Sequence, residues 1–208
     1  MDVFEAIRTT RAMRRLDPTR DVSDDDLWTI LEAANKGPSG SNRQQLRWVV
    51  VRDPERKRRL GELYREVWET YQSAVPGGAY EDPQVTRNMA SAEHLAHHLH
   101  EAPVILVACA RGRRNVEAGV YPGIQNLMLA ARALGLGTTL TTMHRGREQE
   151  VKALLGIPDD VDTFAMIPVG YPLGRWGEAP RRPVEESVSW EQWGWTRPRE
   201  ATEPGGDT

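Results

Sequence analysis

The sequence lacks several features that would decide its class at a glance. Among 208 residues there is one cysteine, Cys109. No disulfide framework can form, and a reducing, cytoplasmic setting is expected. Cys109 lies in the apolar run PVILVACA and reads as a packing residue. No apolar run reaches the roughly 18–20 residues that cross a bilayer, so no membrane partner is expected. The opening stretch MDVFEAIRTT shows no basic region followed by an apolar one, so no secretory signal is read there. Basic excess is also missing. The formal net charge is -3 and the pI about 6.0, which argues against nucleic acid as a partner, since a phosphate-tracking surface needs a cationic face. The usual nucleotide fingerprints are absent as well: GLGTT lacks the third glycine of G-x-G-x-x-G, and there is no P-loop.

The remaining pattern is that of an α+β domain. Asp2, with Glu5 three residues on, opens a first helix ending near Thr9 or Thr10. Ser23 caps a second, with Asp24, Asp25 and Asp26 in the first turn, where the helix dipole favours acids. Trp48–Val51 reads as a buried strand, and Asp53-Pro54 starts a charged helix carrying Leu60, Leu63, Tyr64, Val67 and Trp68 at helical spacing. Residues 73–83 read as a loop. A helix over about 84–101 and a strand over 104–110 come next, then an apolar helix through Ile124, Leu127, Met128, Ala131 and Leu134. A threonine-rich strand TTLTT, a helix EQEVKALLG and a strand over 164–169 complete the core. Helices and strands alternate only in part, which predicts a mixed sheet flanked by helices. One domain over 1–196 is expected, followed by a polar, disordered tail over 197–208.

Three clusters carry candidate chemistry. The first is GPSGSNRQQ at 37–45. A nucleophile elbow is G-x-S-x-G between a strand and a helix. Here position 41 is serine, and a helix precedes the turn while a strand follows it. A serine hydrolase is therefore a distant reading, and a helix cap and turn the plain one. Short backbone with small side chains also lets a planar ligand approach closely. The second cluster is RTTRAMRRLDPTR, in which Arg8, Arg11, Arg14, Arg15 and Arg20 crowd together. As a helix these would repel one another. They are either a solvated basic face or, with Met13 and Leu16 turned inward from an extended segment, a site for an anion. Guanidinium–phosphate bonds contribute on the order of 1.5–3 kcal/mol each. The third is Pro180-Arg181-Arg182-Pro183, either a surface turn or a second jaw for a phosphate. His94, His97, His98 and His100 share one predicted helix, where an i, i+3 or i, i+4 pair is either a metal site or a solvated face, and no HExxH pattern or nearby acidic triad supports the metal.

The order of these pieces resembles the FMN-dependent nitroreductase family, which includes flavin-dependent dehalogenases. Four segments carry the resemblance: AIRTTRAMRRLDPTRDVSDDDLWTILEAA, GPSGSNRQQLRWVVVRD, GIQNLMLAARALGLGTTL, and IPVGYP followed by RRPVEESVSWEQWG. The chain departs from the family's R-R-S at Thr10-Arg11-Ala12, from Q-P-W at Gln44-Gln45-Leu46, and from a second basic residue at Ala179. The resemblance implies a nitroreductase-like fold and an intertwined homodimer with an exchanged C-terminal arm and FMN at the interface. It implies that Arg11 meets the phosphate and that Arg14 lies near the pyrimidine edge of the flavin; with one arginine and one hydroxyl ligand lost, either Arg8 or Arg15 compensates or the phosphate is held more weakly. Pro38, Ser39, Gly40 and Asn42 would lie against the ring from the partner subunit. The backbone at Thr141 and Thr142 would face the flavin N5/O4 edge, and Arg181 would hold the phosphate from the C-terminal side.

The implied activity is NAD(P)H-dependent reduction of nitroaromatic, quinone or related small aromatic acceptors by a ping-pong route, with NADH or NADPH as reductant. No side chain is an essential acid or base in it, because flavin N5 carries the chemistry. Reductive dehalogenation of a phenol, with Glu62, Tyr64 and Glu66 as polar lid groups, and a low-turnover FMN-binding protein are the alternatives. Tyr64, Trp68, Tyr71 and Tyr80 either stack on an aromatic acceptor or serve as core and loop anchors.

Overall fold

The computed structural model describes residues 1–74, 82–112 and 115–198. Most of the expected loop at 73–83, Tyr80 within it, and residues 199–208 of the expected tail lie outside the described residues. Met1–Glu178 packs as one unit and the chain from Ala179 onward as another.

In the first unit, α1 (Val3–Thr9) begins where Asp2 accepts the Glu5 N–H at 2.8 Å. Helix α2 (Asp24–Asn35) begins at Ser23, which caps Asp26 N–H at 3.0 Å. Strand β1 is Leu46–Val51 and helix α3 Pro54–Ala74. Helix α4 (Pro83–His98) leads through a short 3-10 turn into β2, Val104–Ala110. Helix α5 (Glu117–Ala133), strand β3 (Gly137–Thr138), helix α6 (Glu148–Leu155) and strand β4 (Asp162–Gly170) follow.

The sheet order is β1-β2-β4-β3. Every pairing is antiparallel among the described residues, where a mixed sheet was expected. The connections explain the difference. Two helices, α3 and α4, separate β1 from β2, so the chain returns reversed. The single helix α5 does leave β2 and β3 pointing the same way, but β4 inserts between them. The expected TTLTT strand is shorter than its β-branched residues suggested. Only Thr138 pairs as strand, and Thr141 returns to β4 as an isolated bridge to Met166.

Strand β2 is buried along its whole length, and its alternation divides the core in two. Val104, Leu106, Ala108 and Ala110 face α2 and α5, packing with Ile30, Ile124 and Leu127. Ile105, Val107 and Cys109 face α3 and α4, packing with Leu60, Tyr64, Trp68 and Leu99. Burial pushes the Cys109 thiol up to about 11, as suits a packing residue. Helices α2 and α5 approach closely at Gly37 and Gly123. A Cβ on Gly123 would lie 2.6 Å from Leu46 Cδ2 and 2.9 Å from the Ala34 carbonyl.

The segment after α1 is extended. Met13 N–H donates to the Thr138 carbonyl at 2.9 Å, Leu16 bridges Pro172, and Asp17 N–H donates to the Tyr171 carbonyl at 2.8 Å. Met13 is buried, and the arginines on either side are not. This is the inward-outward alternation the sequence suggested, laid along the β3 edge of the sheet.

The second unit is an arm with a short 3-10 turn at Val184–Ser187. Beyond it a tight loop forms, in which Trp190 N–H donates to the Trp195 carbonyl and Gly194 N–H to Ser189 Oγ. Trp193 is 95% exposed at its tip.

Candidate functional site

The predicted site residues fall into two groups in the first unit, plus Arg181 in the second. Arg11, Arg14 and Arg15 ride on the extended segment beside β3, and Thr141 and Thr142 follow β3 on the same edge. Tyr64 of α3 ties this group together. Its hydroxyl lies 2.8 Å from Thr141 Oγ1, and Arg14 is its charged neighbour. Tyr64 is 3% exposed, and burial raises its pKa, so the phenol stays protonated.

Arg14 is half-buried, and burial lowers its pKa. Its guanidinium has no hydrogen bond and no ion pair among the described residues. A partly desolvated cation with no anion is costly unless something outside the chain pairs with it. Arg11 and Arg15 are exposed and likewise meet no carboxylate among the described residues. Arg11, Arg14 and Arg15 are thus unpaired among the described residues, whereas Arg8 meets Glu178 at 3.6 Å and Arg20 lies over the Tyr171 ring. By contrast Arg52, outside the cluster, is tied to Asp21, Asp24 and the Val22 carbonyl.

The two threonines differ in what they can offer. Both backbone groups of Thr141 are taken by β4: its N–H donates to the Met166 carbonyl at 3.0 Å, and its C=O accepts from Met166 N–H at 2.9 Å. Its N–H is therefore spent on the sheet, and the donor it has left for a ligand is its hydroxyl. Thr142 accepts from Arg145 N–H, and its own N–H meets no partner among the described residues. Thr142 thus offers a free backbone donor on this edge among the described residues.

The second group is the serine turn. Pro38, Ser39, Gly40 and Asn42 connect α2 to β1. Ser39 Oγ accepts Gln44 N–H at 3.0 Å, so its hydroxyl shapes the turn. Ser41, Asn42 and Gln44 all have φ near +50°. Such left-handed backbone is strained for these residues, and clustered strain marks functional turns. A Cβ on Gly40 would meet nothing within 4 Å, so packing within the chain does not demand glycine there. Ala34, Ser39, Gln44, Gln45, Trp48 and Gly119 line a cleft of about 250 Å³. The buried Trp48 Nε1–H has no acceptor among the described residues.

These two groups do not meet in one chain. The serine turn leads into β1 at one edge of the sheet, while the arginines and threonines line β3 at the other, with β2 and β4 between. Three inter-strand steps of about 4.8 Å separate the edges by about 14 Å. Arg181 belongs to the second unit, where its guanidinium donates to the Pro180 carbonyl at 3.1 Å and is exposed.

The other sequence candidates resolve as packing or surface. Trp68 is buried in the α3 core, and Tyr71 packs on it at 5.8 Å while staying half-exposed. Glu62 is engaged by Arg58 and Arg59, and Glu66 by Arg147 at 3.3 Å. His94 and His98 stack at 4.3 Å, and His98 meets Glu101 at 2.9 Å. Sequence reasoning missed the link from Tyr64 to Thr141. The two lie 77 positions apart, and nothing in a period-3.6 helix pattern marks one buried tyrosine as polar in purpose.

Known proteins align with this architecture. The chain is 29% identical to the FMN reductase (NAD(P)H) of Bacillus subtilis, over 88% of this chain and 71% of that one. It is 27% identical to an iodotyrosine deiodinase of Thermotoga neapolitana, over 88% and 94%. Among solved structures, oxidized iodotyrosine deiodinase bound to FMN and 3-iodo-L-tyrosine superposes with a TM-score of 0.77 at 23% identity, covering 92% of this chain and 99% of that one. The likeness shows a shared fold. The sequence profile of the Nitroreductase family matches residues 7–171, which takes in the arginine segment, the serine turn and both threonines; the chain belongs to the Nitroreductase family.

Proposed function

We propose that the protein is an FMN-dependent oxidoreductase that uses NADH or NADPH to reduce small aromatic acceptors such as nitroaromatics and quinones, in a ping-pong cycle. One observation carries the reading: Arg14, a half-buried guanidinium without an anion, stands beside the Tyr64–Thr141 pair at a sheet edge that also offers the Thr142 N–H. This donor set fits a flavin. A cation beside the pyrimidine edge favours the anionic reduced ring, Arg11 and Arg15 suit a phosphate, and backbone and hydroxyl donors suit ring nitrogen and carbonyl atoms. FMN, when bound, would supply the hydride-accepting chemistry; the protein binds, orients and tunes it.

The proposal includes a homodimer. The serine turn and the arginine edge stand on opposite sides of one sheet, so a ring held by both takes them from two chains. Helix α1 leaves Val3, Phe4 and Ile7 exposed on one face, Phe4 by 70%, and Trp28 of α2 is exposed too. That is the kind of apolar surface a second copy covers. In the second unit Val184, Val188, Trp190, Trp193 and Trp195 are exposed, which suits an arm exchanged between subunits with Arg181 carried along to the phosphate. Residues 1–196 then act as one functional domain. The dehalogenase alternative is less favoured, because Glu62 and Glu66 are already paired with arginines and Tyr64 is buried.

The purified protein is expected to be yellow, or to take up FMN with quenching of flavin fluorescence. It should then oxidise NAD(P)H faster with menadione or a nitroaromatic than with a halophenol. A colourless protein indifferent to FMN would refute the assignment, and a preference for the halophenol would move it to dehalogenation.

A further inference from the structure

Resting on the flavin reading above, we propose that Tyr64 is a positioning residue that fixes the direction in which the Thr141 hydroxyl points its proton, and thereby biases the site toward oxidised flavin. The argument is a count of protons and lone pairs. A hydroxyl has one proton to give and two lone pairs to fill. Met143 N–H donates to Thr141 Oγ1 at 3.4 Å and fills one of them. The Tyr64–Thr141 bond at 2.8 Å can run either way on distance alone.

The surroundings of Tyr64 choose between the two directions. Its ring is buried between α3 and the sheet, and among the described residues its hydroxyl has no other hydrogen-bond partner. Arg14, its charged neighbour, has only donors to offer. A buried hydroxyl proton left without an acceptor is costly, so Tyr64 donates to Thr141. Both lone pairs of Thr141 are then filled, and its own proton has to point outward. Because the Thr141 N–H is committed to the Met166 carbonyl, this outward O–H is the donor that the residue presents to a ligand.

Such a fixed donor treats the two redox forms differently. Thr141 would donate to an unprotonated ring nitrogen of the oxidised flavin. It would have to accept from the N–H of the reduced ring. Accepting requires Thr141 to turn its proton back onto Tyr64, which strands the Tyr64 proton in a buried place beside a cation. Tyr64 therefore acts through Thr141 and need not touch the cofactor.

The test is the midpoint potential of bound FMN, read by spectroelectrochemistry together with FMN affinity in both redox states. Tyr64→Phe removes the hydroxyl and little else, and frees one Thr141 lone pair. Reduced FMN should then bind about tenfold more tightly relative to oxidised FMN, which is about +30 mV for a two-electron couple. Thr141→Val, which removes the donor, should raise the potential as well, and Tyr64→Phe in that background should add nothing. Thr141→Val alone decides the matter if Tyr64→Phe fails to fold. An unchanged potential in either single variant overturns the proposal, as does an equal Tyr64→Phe shift with and without the Thr141 hydroxyl. Wild-type protein that binds no FMN would instead sink the flavin reading itself, so the two failures are distinguishable.

Discussion

His144 makes the stability of this fold depend on pH in a way that one substitution should remove. It lies in the turn before α6, fully buried, with Nε2 at 3.1 Å from Thr163 Oγ1 on β4. Thr163 spends its single proton on Glu148, at 2.7 Å, and its backbone N–H on the same carboxylate at 2.8 Å. His144 must therefore be the donor to Thr163, which fixes the Nε2–H tautomer and leaves Nδ1 as a buried acceptor with no partner among the described residues. Charging this ring means placing a cation in an apolar layer. Burial is the first cause that holds its pKa at about 4, against 6.5 in the open chain, with nearby Glu148 opposing and Arg145 assisting. The folded pKa is depressed, so the unfolded chain takes up the proton first. The contribution is fully present above 6.5 and is lost as pH falls toward about 4. Each pH unit in that window costs ~1.4 kcal/mol, about 3 kcal/mol over the whole of it. Glu148, whose pKa is lowered by its bonds to Thr163 against the opposing effect of burial, acts in the same sense below the ordinary carboxylate range. His144→Gln keeps an amide donor for Thr163 and removes the titration. Urea midpoints of the two proteins at pH 7, 6 and 5 measure the difference. The wild type should lose roughly 1.4 kcal/mol more per pH unit than the variant between pH 6 and pH 5. His94, also depressed chiefly by burial, contributes equally to both proteins and cancels. Parallel stability curves for the two proteins would refute the assignment of a buried neutral imidazole.

Other substitutions test the packing and the proposed site. Gly123→Ala should destabilise by about 1–3 kcal/mol despite alanine's better helix propensity, because the new Cβ would press on the Ala34 backbone carbonyl; a calorimetric Tm equal to that of the wild type would show that α2 and α5 can move apart. Arg14→Ala and Arg181→Ala should each weaken FMN binding by about 1.5–3 kcal/mol, the range of a hydrogen bond to a charged group, and fluorescence titration showing no change for either would remove that residue from the site. Ser39→Ala should keep most NAD(P)H oxidase activity while loosening the turn by about 1 kcal/mol, since Ser39 Oγ caps Gln44 N–H; complete loss of turnover with flavin still bound would restore a chemical role for that hydroxyl.

Local chemistry made much of the fold readable in advance. The Asp2 and Ser23 caps and Pro54 at the start of α3 each act within one turn, and each lies where the sequence places it. The extended arginine segment was one of two readings that the sequence left open: like charges weigh against a helix, and the burial of Met13 favours the extended form. What the sequence could not carry was decided at long range. Threonine propensity suggested a strand through TTLTT, yet pairing requires a neighbour, and β4 meets this stretch only at Gly137, Thr138 and Thr141. Sheet direction depended on β4 inserting between two strands that point the same way, and no local pattern encodes that order. The Thr141 backbone illustrates the same limit within the site. Residue type says nothing about whether an N–H is spent on the sheet or left for a ligand.

The division of the candidate site between two sheet edges has an energetic consequence. A single chain bears the desolvation of Arg14, the exposed apolar face of α1 and the left-handed strain at Ser41, Asn42 and Gln44, the last offset in part by the bonds of the turn itself. Each is tolerable alone, but together they are a substantial fraction of the few kcal/mol by which a domain of this size is stable. On the proposed reading one event relieves all three. A second copy would cover α1 and carry its serine turn to the arginine edge, and the phosphate and ring between them would pair the orphan guanidinium and support the strained turn. Anything that binds the assembled state and not the separated one stabilises it by mass action. Cofactor and partner subunit would therefore each strengthen the binding of the other. The strain in the serine turn is then better understood as geometry held ready for a ligand than as a defect of the monomer.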